Sequence, residues 1–477
     1  MSDFWAAFGL QRTPFFQEPL ATEAPGAELD RFFVGREAEL RQALLQLTHD
    51  RQTRVVVVGA PGVGKTSFLN QLVARLRAAP SPAGWLIPAL PPISLPGVAT
   101  HVDFCIEVLR RALDARRQLP GRGATVRRAA GAARAALAPD ADDIWERAAR
   151  AVHGATTMAP QVLGVGLATH FIPPAPNAAS WVGLAIEVLD DLVRRAGRDV
   201  LITLNNAENM AAGAAATAQG ALRDARDVLL RPGVHWLFVG TPDFHDTVIA
   251  GEPRLSGIMQ HPLTLAPFAP PDVVRLLERR YGALRTGRGR ALPPVASSAV
   301  AALARAFSGD LRELLRALEA AVLALAPVRG AASLELAEVV GVVSRLQRER
   351  LAAWLPTAAW RHLATVVLGT APDGPLVQRF READAVRRLA PMRQPTVHAH
   401  KRRWIEGGLV RASGHSGAAE WLTVTGPALL ALWPEVQASG RQAEAIVRAI
   451  DLQQAEATGA PAAPARRDRP ARSRGRR

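Results

Sequence analysis

The chain has 477 residues, with 58 Lys+Arg against 43 Asp+Glu and a formal net charge of +15. At 48% hydrophobic and 21% charged it has a globular composition, which excludes disorder of the whole, and its one cysteine, Cys105, excludes a disulfide scaffold. No run of 18 apolar residues is present, and Met1–Trp5 lacks the basic and apolar stretches of a signal peptide, so the expectation is a soluble cytoplasmic protein of several domains.

Residues 1–33 read as an irregular strap rich in Pro and Gly (Pro14, Pro19, Pro25, Gly26). A helix is predicted from Glu37 to Thr48, a buried parallel strand over Arg54–Val58, and a helix from Lys65 to about Ala78. A short strand near Trp85–Ile87 and a helix over His101–Arg117 follow. Residues 118–178, which end in the Pro173-Pro174-Ala175-Pro176 linker, read as an insertion or helical elaboration. Ser180–Ala196 is an amphipathic helix, and Val200–Leu204 and His235–Val239 are two more buried strands. Strands alternating with helices predict an α/β fold with a parallel sheet. From Pro270 the strand signals stop. Helices are predicted over Asp272–Tyr281, Val295–Phe307, Leu311–Leu325 and Leu334–Leu346. The end, from about Gly459, is Pro/Ala/Arg-rich and reads as disordered.

Between the first strand and its helix, Gly59-Ala60-Pro61-Gly62-Val63-Gly64-Lys65-Thr66 matches G-x-x-x-x-G-K-[ST] in full. The glycines let backbone N–H groups wrap phosphates at a helix N-terminus. Lys65 is expected to reach the β/γ-phosphates and the Thr66 hydroxyl to hold Mg²⁺, with Ser67 beside it. ATP with Mg²⁺ is the expected ligand. An ATPase of this kind normally carries carboxylates after a second strand, to organise the metal and polarise water. The matching place is Val200–Leu204 followed by Asn205-Asn206-Ala207-Glu208. An amide cannot take a proton as a carboxylate can, so the expectation is nucleotide binding with slow or absent hydrolysis, with Glu208 as a substitute base.

The order of motifs resembles AAA+ ATPases of the archaeal and eukaryotic origin-recognition (Orc/Cdc) initiator type. Thr13-Pro14-Phe15 and Phe33-Val34-Gly35-Arg36-Glu37 precede the phosphate loop, and the resemblance places this segment, Val34 included, near the adenine. Gly240-Thr241 occupies the sensor 1 place. Glu252-Pro253-Arg254-Leu255-Ser256 is similar to the stretch carrying the arginine finger, which makes Arg254 the finger offered to a neighbouring subunit. Ala266-Pro267-Phe268 matches the lid entry, and Gly309-Asp310-Leu311-Arg312 is similar to sensor 2, which makes Arg312 a γ-phosphate contact. The Asn205-Asn206 pair departs from that pattern.

The charge is clustered. Only Lys65 and Lys401 are lysines, the other cations being arginine. Residues 387–411 carry +6, and the tail 461–477 another +6, a distribution that fits anion-binding patches. The first patch falls in a mixed region. A helix over Ala358–Leu368, the segment Leu376–Leu389, a helix opened by Pro395-Thr396-Val397 and closed by Gly407-Gly408, and a hairpin over Arg411–Val424 with its turn at Ser413–Gly417 predict a winged helix-turn-helix. Val397, Trp404 and Leu409 should face its core. Thr396, His398, Lys401, Arg402 and Arg403 on the recognition helix, with Arg411 at the wing, are the candidates to meet double-stranded DNA. His398 and His400 do not share a helix face, which argues against a metal site.

The predicted architecture is therefore a strap (1–33), a P-loop AAA+ core (34–268), a helical lid (269–348), a winged helix (349–436) and a C-terminal helix with an Arg-rich tail (437–477). The expected function is ATP and DNA binding, with nucleotide as an assembly switch, a homo-oligomer when ATP is bound, a recruited protein partner and no membrane. Two other readings share these features: a STAND-type NTPase of bacterial defence, and an AAA+ transposition or target-selection regulator that coats DNA.

Overall fold

The structure, a computed structural model, describes residues 2–20, 27–50, 52–78, 84–119, 140–158, 178–205, 214–287, 291–352, 355–370, 374–416 and 419–458. Asn206, Glu208, the 173–176 linker and the arginine-rich tail lie outside them. By its contacts the chain divides into two units, 18–267 and 1–17 with 268–477.

The 18–267 unit is built on a parallel sheet. Its elements are α1 (Glu37–Thr48), β1 (Arg54–Gly59), α2 (Lys65–Ala78), β2 (Trp85–Leu86), β3 (Ile93–Ser94), α3 (His101–Arg117), α4 (Asp140–Met158), α5 (Ala178–Ala196), β4 (Asp199–Asn205), α6 (Ala214–Asp224), β5 (Val234–Gly240) and β6 (Leu263–Leu265). The strand order is β2-β4-β5-β1-β6, with β3 also on β4. The apolar runs of β1, β4 and β5 are continuous because both sheet faces are covered. Val56, Val58, Val200, Ile202, Trp236 and Phe238 pack on one side with α3 to α6. Val55, Val57, Leu201, Leu237 and Val239 pack on the other with α1 and α2.

Of the segment read as an insertion or helical elaboration, α4 packs on this core. Trp145 on α4 is 2% exposed. Its Nε1 donates to Asp191 on α5 at 2.6 Å, and Arg116 at the end of α3 lies over its ring at 4.5 Å. The α3 start is fixed by a reciprocal Thr100–Asp103 capping box. Cys105 on the same helix is buried, and burial pushes its thiol up to about 12, which makes it an inert core residue.

The second unit begins with the N-terminal segment, so residues 1–33 do not act as one strap. A helix over Ser2–Ala6 leads into the Trp5, Phe8, Leu10 and Phe15 cluster, all buried. This cluster docks on α7 (Pro270–Leu284): Gln11 N donates to Leu284 O at 2.8 Å. Arg280 donates to Pro14 O and Phe16 O, both at 2.9 Å, and lies over the Phe16 ring. Residues 18–33 instead join the sheet unit, with a helix over Ala27–Phe32 and Asn70 donating to Leu20 O.

Helices α8 (Ser297–Ala306), α9 (Leu311–Arg329) and α10 (Leu336–Ala352) complete the helical part. The winged helix follows: α11 (Thr357–Leu368), β7 (Arg379–Arg381), α12 (Glu382–Arg388), α13 (Gln394–Glu406), β8 (Val410–Ser416) and β9 (Ala419–Val424). Two sequence expectations need correction here. Leu376–Leu389 is not one piece, since β7 joins the wing as a third strand in the order β7-β9-β8. The Ser413–Ser416 stretch is not a turn, because β8 runs through it with a register shift between Ser413 and His415. Val397, Trp404 and Leu409 are fully buried, and Trp404 Nε1 donates to Ala359 O on α11 at 2.8 Å. After the wing, α14 (Ala443–Thr458) packs back on α8, and Arg305 pairs with Asp451 at 2.5 Å. Gly426 approaches α8 so closely that a Cβ there would meet Ala306 O at 1.9 Å.

Candidate functional site

The carboxyl ends of β1, β5 and β4 lie in register, with Val58 beside Gly240 and Phe238 beside Leu204. Gly59, Thr241 and Asn205 therefore emerge along one sheet edge. The phosphate loop leaves β1 at Gly59 and enters α2 at Lys65. Gly62 and Gly64 sit at φ of 79° and 85°, the left-handed region that favours glycine. A Cβ on Gly59 would come 2.8 Å from Val63 Cγ2 and 3.1 Å from Leu265 O. Val63, at 1% exposure, roots the loop in the core, while Ala60 and Pro61 are exposed.

Lys65 is 5% exposed and donates to Gly59 O and Ala60 O, both at 3.1 Å. Its ammonium thus sits on the loop it is expected to share with phosphate oxygens. Thr66 is half-buried in the first turn of α2. Ser67 is already engaged, its hydroxyl accepting from Leu20 N at 3.3 Å. Arg36 braces the loop from behind, a role missed in the sequence because its partners are 27 and 230 residues away. It is buried, donates to Val63 O at 3.5 Å and to Ala266 O, and pairs with Glu39 at 2.9 Å. Val34, two residues earlier, is half-buried.

Asn205 ends β4 with 5% exposure, and its Oδ1 has no partner among the described residues. A buried amide oxygen left unpaired is costly, and this one can still accept a hydrogen bond from a water. Thr241 Oγ1 accepts from Phe244 N at 3.2 Å, which leaves its O–H free to donate. Arg254 stands exposed on a short helix, Pro253–Ser256, capped by Glu252. Arg312 is exposed in the first turn of α9, in the other unit.

At the winged helix, Thr396, His398, Arg402, Arg403 and Arg411 are exposed. Lys401 is not presented in the same way. Its Nζ lies 3.0 Å from Glu382 and 2.6 Å from Glu420, with the side chain 14% exposed. Burial opposes the ammonium, but the hydrogen bonds to both carboxylates outweigh it and raise the lysine above its ordinary range. Glu382 moves the other way: burial would raise it, but bonds from Lys401 and His398 hold it low. Arg402 pairs with Glu406 at 2.8 Å, and Arg387 with Asp384. The +6 of residues 387–411 is therefore partly compensated, because Glu382, Asp384 and Glu420 fold onto it from just outside that window. His400 is buried, stacks on Trp404 and meets His362 at 3.0 Å; burial, then His362 and Arg403, lower its pKa. Among the described residues no cluster of three or more metal-ligating side chains exists, and no helix is long and apolar enough to cross a membrane.

Sheet, loop and wing define a phosphate-loop α/β protein with a C-terminal winged helix. Several solved structures are similar to the chain. The Aeropyrum pernix ORC1 protein, in complex with DNA, is 16% identical over 94% of this chain and 98% of its own, with a TM-score of 0.41. The Aeropyrum pernix ORC2 protein, in its ADPNP-ADP complexes, is 14% identical over 93% and 98%, with a TM-score of 0.43. Cdc6p from Pyrobaculum aerophilum is 15% identical over 94% and 98%, at 0.38. No protein-family model and no curated protein matches the chain.

Proposed function

We propose that the chain binds ATP at the phosphate loop and double-stranded DNA at the winged helix, with nucleotide acting as an assembly switch and hydrolysis slow or absent. The carrying observation is a complete phosphate loop on a sheet whose β4 ends in Asn205, buried and with no partner for its Oδ1 among the described residues. Lys65 and the loop N–H groups would hold the phosphates, Thr66 the Mg²⁺, and Asn205 a water on that metal. The bound metal would supply charge neutralisation between phosphates. Asn205 can orient a water but cannot remove its proton, so the bound nucleotide persists.

Thr241, at the head of β5, would donate to a phosphate oxygen. Glu208 is the one carboxylate near in sequence that could act as a base. Arg254, exposed at a distance from the loop in sequence, suits a contact to nucleotide held by a second copy, and Arg312 is the lid's candidate contact. Arg402, Arg403, Arg411, His398 and Thr396 would meet the duplex, while Lys401 positions the wing. Equilibrium binding of ATP tests the reading. Lys65→Ala should abolish it, and an unchanged affinity in that variant would overturn the assignment. Duplex binding by Arg402→Ala/Arg403→Ala, at several salt concentrations, tests the other half.

A further inference from the structure

The wing sheet has two faces. Phe380, Leu422 and Ala412 pair across its strands on one, and Phe380 and Leu422 are buried there. Side chains alternate along strands, so the neighbouring pairs stand on the other face. There Arg381 is opposite Trp421, and Arg379, Thr423 and Arg411 form the next rung. The Arg381 guanidinium carbon lies 4.3 Å from the centre of the Trp421 ring, and that of Arg379 lies 4.6 Å from it. Two arginines thus share the one ring, and Arg411 stands on the same face. At its base Arg411 and Thr423 also line a cavity of about 300 Å³ with Asp310 and Glu313. Glu313 is itself held by Arg316 and Arg350, at 3.0 and 2.9 Å.

We propose that this outward sheet face is a platform for single-stranded nucleic acid, in which Arg379 and Arg381 hold phosphates and the Trp421 stack receives an unpaired base. Arg381 is the exposed member of the pair, and a guanidinium over an indole can still turn N–H groups to a phosphate. Its outer face is a flat surface on which a base can continue the stack. Arg379 and Arg381 are two residues apart on one strand, about 6.6 Å, a separation that follows an extended chain. The choice of a single strand rests on shape. In a duplex the flat faces of the bases are covered by their neighbours, and the grooves are read by protruding helices or ribbons. This inference stands apart from the recognition-helix reading, which concerns α13 and a duplex.

The test uses the full chain, a labelled oligothymidylate, an oligouridylate of equal length and a duplex, with anisotropy read at several salt concentrations. Arg379→Gln/Arg381→Gln and Trp421→Leu are each expected to weaken the single strands about tenfold and the duplex no more than about twofold. Arg402→Ala/Arg403→Ala should do the reverse. Arg381→Lys, at an exposed position, keeps the charge and the fold but not the flat fork. It should keep the salt dependence and lose part of the single-strand affinity. Comparison of the two single strands decides between DNA and RNA. No single-strand binding by the native chain, or no loss in the platform variants, would overturn the proposal. Equal losses on single strand and duplex would overturn it too, by assigning the face to the duplex site.

Discussion

Lys401→Met separates a structural role for this lysine from a DNA contact. The ammonium lies 3.0 Å from Glu382 and 2.6 Å from Glu420, whose side chains are 23% and 31% exposed. Two unit charges about 4 Å apart attract by about 4 kcal/mol at an effective dielectric near 20. Desolvation offsets much of that, and the more exposed Glu420 contributes the smaller share. Removal of Lys401 also leaves two carboxylates facing one gap. The expected cost is about 2 kcal/mol of stability, read by equilibrium urea unfolding at neutral pH. Duplex affinity should fall less than in Arg403→Ala. The deficit should shrink in acid. Glu382 is held below its ordinary 4.5 in the native wing, so its contribution is present above that value and fades as pH falls through the lower, folded one. A variant of native stability that loses as much duplex affinity as Arg403→Ala would refute the reasoning and return Lys401 to the DNA contacts.

Other outcomes follow from the site. Gly59→Val should abolish ATP binding, since even a Cβ there meets Val63 at 2.8 Å and Leu265 O at 3.1 Å; isothermal titration with native-like affinity would contradict this. Asn205→Asp/Asn206→Glu should raise ATP turnover about 100-fold in a steady-state phosphate-release assay, the scale of a general base. Unchanged turnover would place the defect elsewhere. The lowered pKa of His400 predicts that the contribution of its neutral ring to winged-helix stability is fully present above the ordinary value, 6.5, and is lost as pH falls through the folded value. His400→Gln should flatten that dependence in thermal unfolding between neutral and acidic pH.

Much of the fold is legible in the sequence because the signals are local. Glu37–Thr48, Lys65–Ala78 and His101–Arg117 are helices with the boundaries their patterns predict. The buried runs of β1, β4 and β5 announce a parallel sheet covered on both faces, and G-x-x-x-x-G-K-T places its loop. What escapes is long-range. Trp145 joins the core through Asp191, 46 residues on. Lys401 looks like a lone surviving lysine until Glu382 and Glu420 fold around it. Arg379, Arg381 and Trp421 carry no motif, and only strand pairing across about 40 residues makes them neighbours. The N-terminal segment divides at residue 17 because its aromatic residues find α7, a choice that composition cannot express.

The central claim is that this phosphate loop retains ATP rather than turning it over. It is tested most directly by loading the purified chain with radiolabelled ATP and Mg²⁺, then following bound nucleotide and released phosphate together. The account predicts one ATP per chain, still intact after many times the turnover period of an ordinary ATPase, and none on Lys65→Ala. Rapid multiple turnover by the native chain, or no bound ATP at all, would contradict it.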